Sequence, residues 1–390
     1  MAAVNGPDDP ANRPPEEGDP AIRLLFTILP GARIVGGAVR DRLLGLPVAD
    51  IDLAVKMTPE QVIEALQAAG IGFAPTGLKH GTVTAIIDRR GFEITSLRRD
   101  LATDGRHAAI AYTEDWREDA ARRDFTINAM SMDESGLLYD YFGGQDDLAA
   151  GRIRFVGDAA ARVAEDYLRI LRFFRFYARF GRGDADRGAL AAIRAGVPGL
   201  ALLSAERVWH ELKGLLAVPK PVPALMLMRD TGVLAALLPA GADIQRVRKL
   251  GQAEPLLRFA ALARNAPAYA DRLRMSKAEA ALIEGFYTVV PPPVAADDDE
   301  LRRALESALP AHLIGASRLR GDPASFQARL ASLPRPVFPL RGRDALALDL
   351  PAGEKVGRAL EQVRQWWRAG GCRGTPAECR AELARVLAGW

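Results

Sequence analysis

At 390 residues, 49% of them apolar, the chain is too long for a single small core and predicts more than one packed unit. Its formal charge of +3 is too small to announce a nucleic-acid partner, and only seven of its 52 basic residues are lysines. A GC-rich genome would account for the arginine excess, so the placement of those arginines has to carry the argument. Cys372 and Cys379 have no further Cys or His at zinc-ligand spacing, which argues against a disulfide framework or a zinc site.

Residues 1–20 are rich in Pro, Asp, Glu and Gly and lack an apolar segment, predicting a disordered N-terminus that is neither signal peptide nor anchor. No apolar run reaches spanning length, so a cytoplasmic chain with no membrane partner is expected. From Ala21 to about Gly151 short β-like runs alternate with helical ones. The predicted strands are Ala32–Val35, Ile51–Val55, Thr82–Asp88, Phe92–Ser96 and Leu137–Tyr141, and the helices are Val39–Leu44 and Pro59–Ala69. From Asp158 onward Leu, Ala and Arg recur at helical spacing to Trp390. Prolines break that helical part at Val218–Pro223, Val289–Asp299 and Leu333–Pro339. Asp297–Asp299 then reads as a helix N-terminus.

Ile34-Val35-Gly36-Gly37-Ala38-Val39-Arg40-Asp41 reads as a strand, a double glycine and the start of a helix. Glycines there let the backbone approach a bound group, and the helix start offers free N–H donors to phosphate. Asp50-Ile51-Asp52 follows. On a strand, a period of two puts both carboxylates on one face, about 7 Å apart along the chain. Such a pair repels itself unless cations intervene, and hard oxygen ligands suit Mg²⁺ carrying substrate phosphates in a two-metal site. A third carboxylate is expected from a neighbouring strand, where Glu93 is the candidate, with a solvent-facing role as its alternative.

Together the glycines, Arg40, Asp41 and the spaced aspartates resemble the polymerase-β-like nucleotidyltransferases. More narrowly, they resemble the class II family of bacterial tRNA CCA-adding enzymes and poly(A) polymerases. Thr76–Val83 is similar to the family segment before the third-carboxylate strand, and Arg122-Arg123-Asp124-Phe125-Thr126-Ile127-Asn128-Ala129-Met130 to its ribose-recognition motif. By that resemblance Gly36, Gly37, Arg40, Arg123 and Asp124 bind nucleotide, with Arg123 on the triphosphate and Asp124 on the ribose 2′-hydroxyl. Asp50, Asp52 and Glu93 are then the catalytic carboxylates, the first two being the metal ligands. Leu97–Ala121, with Arg106 and His107, resembles a flexible loop of the family but has Ala108 where proline is common.

In Glu165–Phe176, at about 100° per residue, Ile170, Phe173, Phe174 and Tyr177 form an apolar stripe while Arg169, Arg172, Arg175 and Arg179 share roughly a third of the circumference. The stretch resembles the family's Glu-Asp-x-x-Arg motif. The resemblance implies that Asp166 and Arg169, neighbours on one helix, read the incoming base in place of a template, with Arg172 and Arg175 on phosphates or base. Gly157-Asp158 and Arg162 resemble the hinge motif, and Ser204–Trp209 with Glu211-Leu212 the helix-stabilising motif, so Glu206 and Arg207 are given structural roles. Leu340–Asp344, Pro351-Ala352-Gly353 and Val356-Gly357 resemble an element near the RNA-binding tail. None of the four histidines is followed by Asp, so a fused His-Asp phosphohydrolase domain is not expected.

The fold implied is α+β and multidomain: a mixed-sheet head over 21–151, a helical neck over 152–218 carrying the base-recognition helix, a body over 219–290 and an RNA-binding tail over 291–390. The activity implied is template-independent addition of CCA to tRNA from CTP and ATP with Mg²⁺. A poly(A) polymerase or a specialised CC- or A-adding enzyme is the alternative, since these share every motif above.

Overall fold

A computed structural model describes residues 19–48, 50–103, 108–348, 351 and 353–389. Of the disorder expected over 1–20, residues 1–18 lie outside the described residues, as do Arg106 and His107 of the expected loop and Ala352, while Asp19 and Pro20 belong to the start of the first helix. The chain divides into two compact units, Met1–Leu237 and Leu238–Trp390.

The first unit begins with α1 (Pro20–Ile28), capped by Asp19. It continues through β1 (Arg33–Val35), α2 (Gly37–Leu43), β2 (Asp52–Val55), α3 (Pro59–Ala68), β3 (Gly72–Gly77), β4 (Thr82–Ile87) and β5 (Arg90–Ser96). Then come β6 (Arg98–Thr103), β7 (Ala108–Tyr112), α4 (Trp116–Ala121), β8 (Ser131–Met132), β9 (Leu138–Tyr139) and α5 (Gly144–Ala150). Seven strands form one mixed sheet in the order β3-β4-β5-β2-β1-β8-β9, in which β2 and β5 are the parallel pair. The apolar residues Leu53, Ala54 and Val55 make β2 a buried central strand.

Local chemistry explains most departures from the predicted elements. The β4–β5 connection is Asp88-Arg89, both at positive φ (51° and 63°), so these two residues turn the hairpin rather than extend β4. The unpredicted β3 carries Pro75, tolerated because β3 is the sheet edge and needs no donor on its outer side. Leu97–Ala121 is not simply a loop: β6 and β7 pair as a separate two-stranded sheet and α4 follows. The expected strand began at Ile51 and β2 starts at Asp52, so Asp50 precedes the strand and the period-two placement of both aspartates on one strand face does not hold.

Helices complete the unit: α6 (Ala159–Glu165), α7 (Leu168–Phe180), α8 (Arg187–Gly196), α9 (Ala205–Ala217), α10 (Val222–Asp230) and α11 (Val233–Leu237). Phe125, Phe155, Phe173 and Phe176 pack ring on ring, with centroids 5.0 Å apart for Phe125–Phe155 and 5.2 Å for Phe125–Phe176. That aromatic cluster joins the Arg122–Met130 segment to α7 in one core. Because α10 packs on α7, the unit runs past the proline break at 218–223.

The second unit is helical: α12 (Ile244–Leu250), α13 (Pro255–Leu262), α14 (Lys277–Thr288), α15 (Asp298–Ser307), α16 (Pro310–Arg320), α17 (Ala324–Ser332), α18 (Gly342–Leu346), α19 (Glu354–Ala369) and α20 (Pro376–Ala388). Asp297 caps α15 in a capping box with Glu300, as its position after the proline break predicts. The carbonyls freed by Pro291 and Pro292 accept from Arg320 at 2.8 and 2.6 Å. Cys372 and Cys379 are free thiols buried with Ala359, Val363, Trp367 and Leu383.

Candidate active site

Gly36 ends β1 with φ 69° and ψ −123°, a conformation open to glycine, and it caps α2. A Cβ there would stand 3.0 Å from Nη1 of Arg123, so this turn and the Arg123 guanidinium lie against each other. The parallel pairing of β2 with β5 sets Leu53 beside Ile94 and therefore brings Asp52 next to Glu93. Asp50, Ile51, Asp52, Thr84, Gly91 and Glu93 line one cavity of about 380 Å³. The three carboxylates singled out in the sequence thus share a cavity, although only Asp52 and Glu93 stand on strands.

Burial pushes the Asp52 carboxyl above its usual range, and the neighbouring charges of Glu93 and Asp50 add to the rise while Arg123 opposes it. Such a cluster fits divalent cations and is costly without them. Among the described residues no three His, Cys, Asp or Glu are close enough to cage an ion by themselves.

The arginines are held by carboxylates. Nη2 of Arg123 donates to Asp119 at 3.2 Å and Nη1 to the Asn128 carbonyl at 3.5 Å. Arg40 is buried, with Nε on Asp41 at 2.9 Å and Nη1 on the Asn128 side chain at 2.6 Å, so the structure sets it in the framework beneath the turn. Asp124 is buried too: Oδ1 accepts from the Phe125 amide (2.8 Å) and Asn128 (3.1 Å), and Oδ2 from Nε of Arg172 (2.7 Å), whose Nη2 is in ion-pair contact with the same oxygen (2.5 Å). Burial favours its neutral form, but Arg172 and these donors hold its carboxyl below the usual range.

The predicted Asp166–Arg169 pair requires a correction. Asp166 is not on a helix with Arg169; α6 ends at Glu165, Asp166 is extended (φ −153°, ψ 106°), and its Oδ1 accepts from the Leu168 amide at 3.0 Å. Aspartate competes with helix in this way by bonding the backbone just ahead of it. Its Oδ2 accepts from Arg207 at 2.6 Å, while Arg169 donates to Glu165 at 2.6 Å and to the Arg122 carbonyl at 3.2 Å. Arg175 pairs with the buried Glu211 at 2.7 Å.

Four partners escaped the sequence reading: Asp119, Glu165, the Asn128 side chain and the tie from Arg207 to Asp166. The first two carried a signal, because Asp119 stands three and four residues before Arg122 and Arg123, and Glu165 four before Arg169, the spacings at which charges meet on a helix. Arg207 and Asp166 are 41 residues apart and carried none.

Three carboxylates thus share a cavity on a mixed sheet, and Arg123, held against the Gly36 turn, lies within electrostatic reach of Asp52. Residues 32–154 match the family model "Poly A polymerase head domain" and 186–244 match "Probable RNA and SrmB- binding site of polymerase A". The CCA tRNA nucleotidyltransferase 1, mitochondrial, of Mus musculus is 37% identical over 370 residues, covering 87% of this chain and 83% of its own. A CCA-adding enzyme of Geobacillus stearothermophilus is 34% identical over 364 residues, covering 87% and 88%. The Bacillus stearothermophilus CCA-adding enzyme solved in complex with CTP superposes with a TM-score of 0.74 at 27% identity, over 95% of this chain and 98% of that one. The chain belongs to the family of CCA tRNA nucleotidyltransferases and CCA-adding enzymes.

Proposed function

We propose that this protein completes the CCA end of tRNA from CTP and ATP, choosing each base with protein side chains. The observation that carries the reading is the shared cavity of Asp50, Asp52 and Glu93 in a chain whose head and length match enzymes of that activity. Asp50 and Asp52 would hold Mg²⁺, with Glu93 as the third carboxylate. When bound, the ions neutralise charge at the attacking 3′-hydroxyl and the departing pyrophosphate.

Arg123 is positioned to meet the triphosphate at the Gly36-Gly37 turn. Asp124 is assigned to the ribose 2′-hydroxyl. Phe125, Asn128 and Nε of Arg172 already donate to it, with Nη2 of Arg172 in ion-pair contact, so a 2′-hydroxyl takes the remaining acceptor site on Oδ2 or replaces one of these donors. Arg172 is the most exposed of these partners, at 31% of its side chain, and so the one a nucleotide meets first. Asp166 and Arg169, from opposite sides of the helix break, offer an acceptor and donors to the base edge, and Arg175 is assigned to phosphate or base. The domains of this reading are the head, neck, body and tail outlined from the sequence, the tail gripping RNA by phosphates and shape.

The test supplies a tRNA lacking CCA with labelled CTP, ATP or both, with and without Mg²⁺. CTP alone should give two additions, both nucleotides three, and omission of Mg²⁺ none. The head model is named for poly(A) polymerases, and homopolymeric A tails from ATP on unrelated RNA would favour that second reading and overturn the first. Among the described residues no helix is long and apolar enough to cross a membrane. The compartment proposed is the cytoplasm; the mouse relative is named as mitochondrial, so cell fractionation is the check.

A further inference from the structure

Asp119, on α4, is 2% exposed and makes an unusual set of contacts for one carboxylate. Oδ1 accepts from the Arg98 backbone N–H at 3.3 Å and from Nε of Arg122 at 2.8 Å, and Oδ2 accepts from Nη2 of Arg123 at 3.2 Å. Burial alone would push its carboxyl up, yet the charges of Arg122 and Arg123 hold it below the ordinary range. A buried carboxylate is expensive unless paired and hydrogen-bonded, and this one has two arginine partners and a hydrogen bond to each oxygen.

Two pieces of the head meet on it. Arg98 opens β6, and the neighbouring Leu97 donates its amide to Val55 at the end of β2 (2.8 Å) and accepts from Thr113 beyond β7 (3.0 Å). Glu118 fastens the same hairpin base by accepting from the Thr113 hydroxyl at 2.6 Å. On the other side is Arg123, a long side chain with much rotamer freedom to lose. Asp119 grips one end of its guanidinium while the other rests by Gly36, within electrostatic reach of Asp52.

We propose that Asp119 is a positioning residue for nucleotide capture: it fixes Arg123 against the Gly36 turn and ties that geometry to the seat of the β6–β7 hairpin. The inference rests on the proposed nucleotide site and adds to it a residue that need not touch substrate. Pre-ordering Arg123 lowers the entropy a triphosphate would otherwise have to supply, so the effect belongs in nucleotide affinity rather than in the chemical step.

The test compares Asp119→Asn, Arg123→Ala and the double variant in full-length protein. Asp119→Asn should raise KM for CTP and ATP by about tenfold, the worth of a charge-assisted hydrogen bond, while KM for tRNA is unchanged and kcat moves by less than about twofold. In the double variant KM should be no higher than in Arg123→Ala alone, because both changes remove one interaction. A merely structural Asp119 would give additive effects and a matching loss for tRNA; either result overturns the proposal. If Arg123→Ala raises nucleotide KM and Asp119→Asn does not, Asp119 is misassigned and the site reading survives. If Arg123→Ala itself leaves KM untouched, the site reading fails and the proposal with it. Should Asp119→Asn not fold, Asp119→Glu keeps the charge displaced by a methylene; weaker CTP binding at equilibrium supports the proposal, and unchanged binding overturns it.

Discussion

Replacing Arg172 by Met should destabilise the first unit by stranding Asp124. One oxygen of the Asp124 carboxylate accepts from Nε of Arg172 and is in ion-pair contact with its Nη2, and the Asp124 and Arg172 side chains are 10% and 31% exposed. Two unit charges about 4 Å apart attract by about 4 kcal/mol at the effective dielectric of a protein surface, and removing one partner of a fully buried pair costs about 3–5 kcal/mol. The partial exposure of Arg172 discounts this towards about 2–3 kcal/mol. Urea unfolding at pH 7 followed by circular dichroism measures it, with Asp124→Asn and the double variant completing the cycle. The double should recover part of the loss, since no buried charge is left unpaired. The pH dependence has a definite sign. The folded-state pKa of Asp124 is depressed, so its contribution is present above the unfolded value of about 4 and lost as pH falls through the folded one. The gap between wild type and Arg172→Met should therefore narrow on acidification. Equal stabilities at pH 7, or a gap that widens as pH falls, would refute the reasoning.

Asp52 is the opposite case. Its folded-state pKa is raised, so the folded state binds that proton more tightly and stability falls as pH rises from the ordinary carboxylate value through the raised one. Asp52→Asn should abolish nucleotide incorporation, leave tRNA binding in place and raise the melting temperature of the metal-free protein at neutral pH; a lower melting temperature would contradict it. Gly144 opens α5, where alanine would ordinarily favour helix, but a Cβ there would stand 2.2 Å from the Thr126 carbonyl oxygen. Because backbone has to move, Gly144→Ala should cost about 2–3 kcal/mol in thermal or urea unfolding, and a gain in stability would show that the Thr126 turn yields freely.

What the sequence made legible was what repeats or is chemically costly. The stripe of Ile170, Phe173, Phe174 and Tyr177 predicted the buried face of α7, and the first three are fully buried while Tyr177, at its C-terminal end, is half-buried. Asp50, Asp52 and Glu93 were legible as carboxylates with no structural reason to cluster, and they line one cavity. Elements whose existence depends on partners were not. In β3 a glycine- and proline-rich run is a strand because β4 lies beside it, and β6 carries Arg98 and Arg99 without apolar alternation. The break at Asp166 was hidden because Glu165–Phe176 has unbroken helical periodicity, while one side chain bonding forward to Leu168 ends α6 and begins α7.

The same logic explains why the net charge is uninformative about phosphate binding. The arginines of the proposed site already have anionic or carbonyl partners within the protein: Arg123 has Asp119, Arg169 has Glu165, Arg172 has Asp124, Arg175 has Glu211. A site compensated in this way adds little to the formal charge, however cationic its lining. It also changes what a nucleotide must do. Binding becomes an exchange in which a phosphate, ribose hydroxyl or base edge replaces an internal partner, and the net gain is the small difference between two sets of hydrogen bonds. A ligand that reproduces the displaced bonds breaks even or better. One that leaves the buried Asp124 unsatisfied is penalised by the full cost of that group, which favours selectivity over raw affinity.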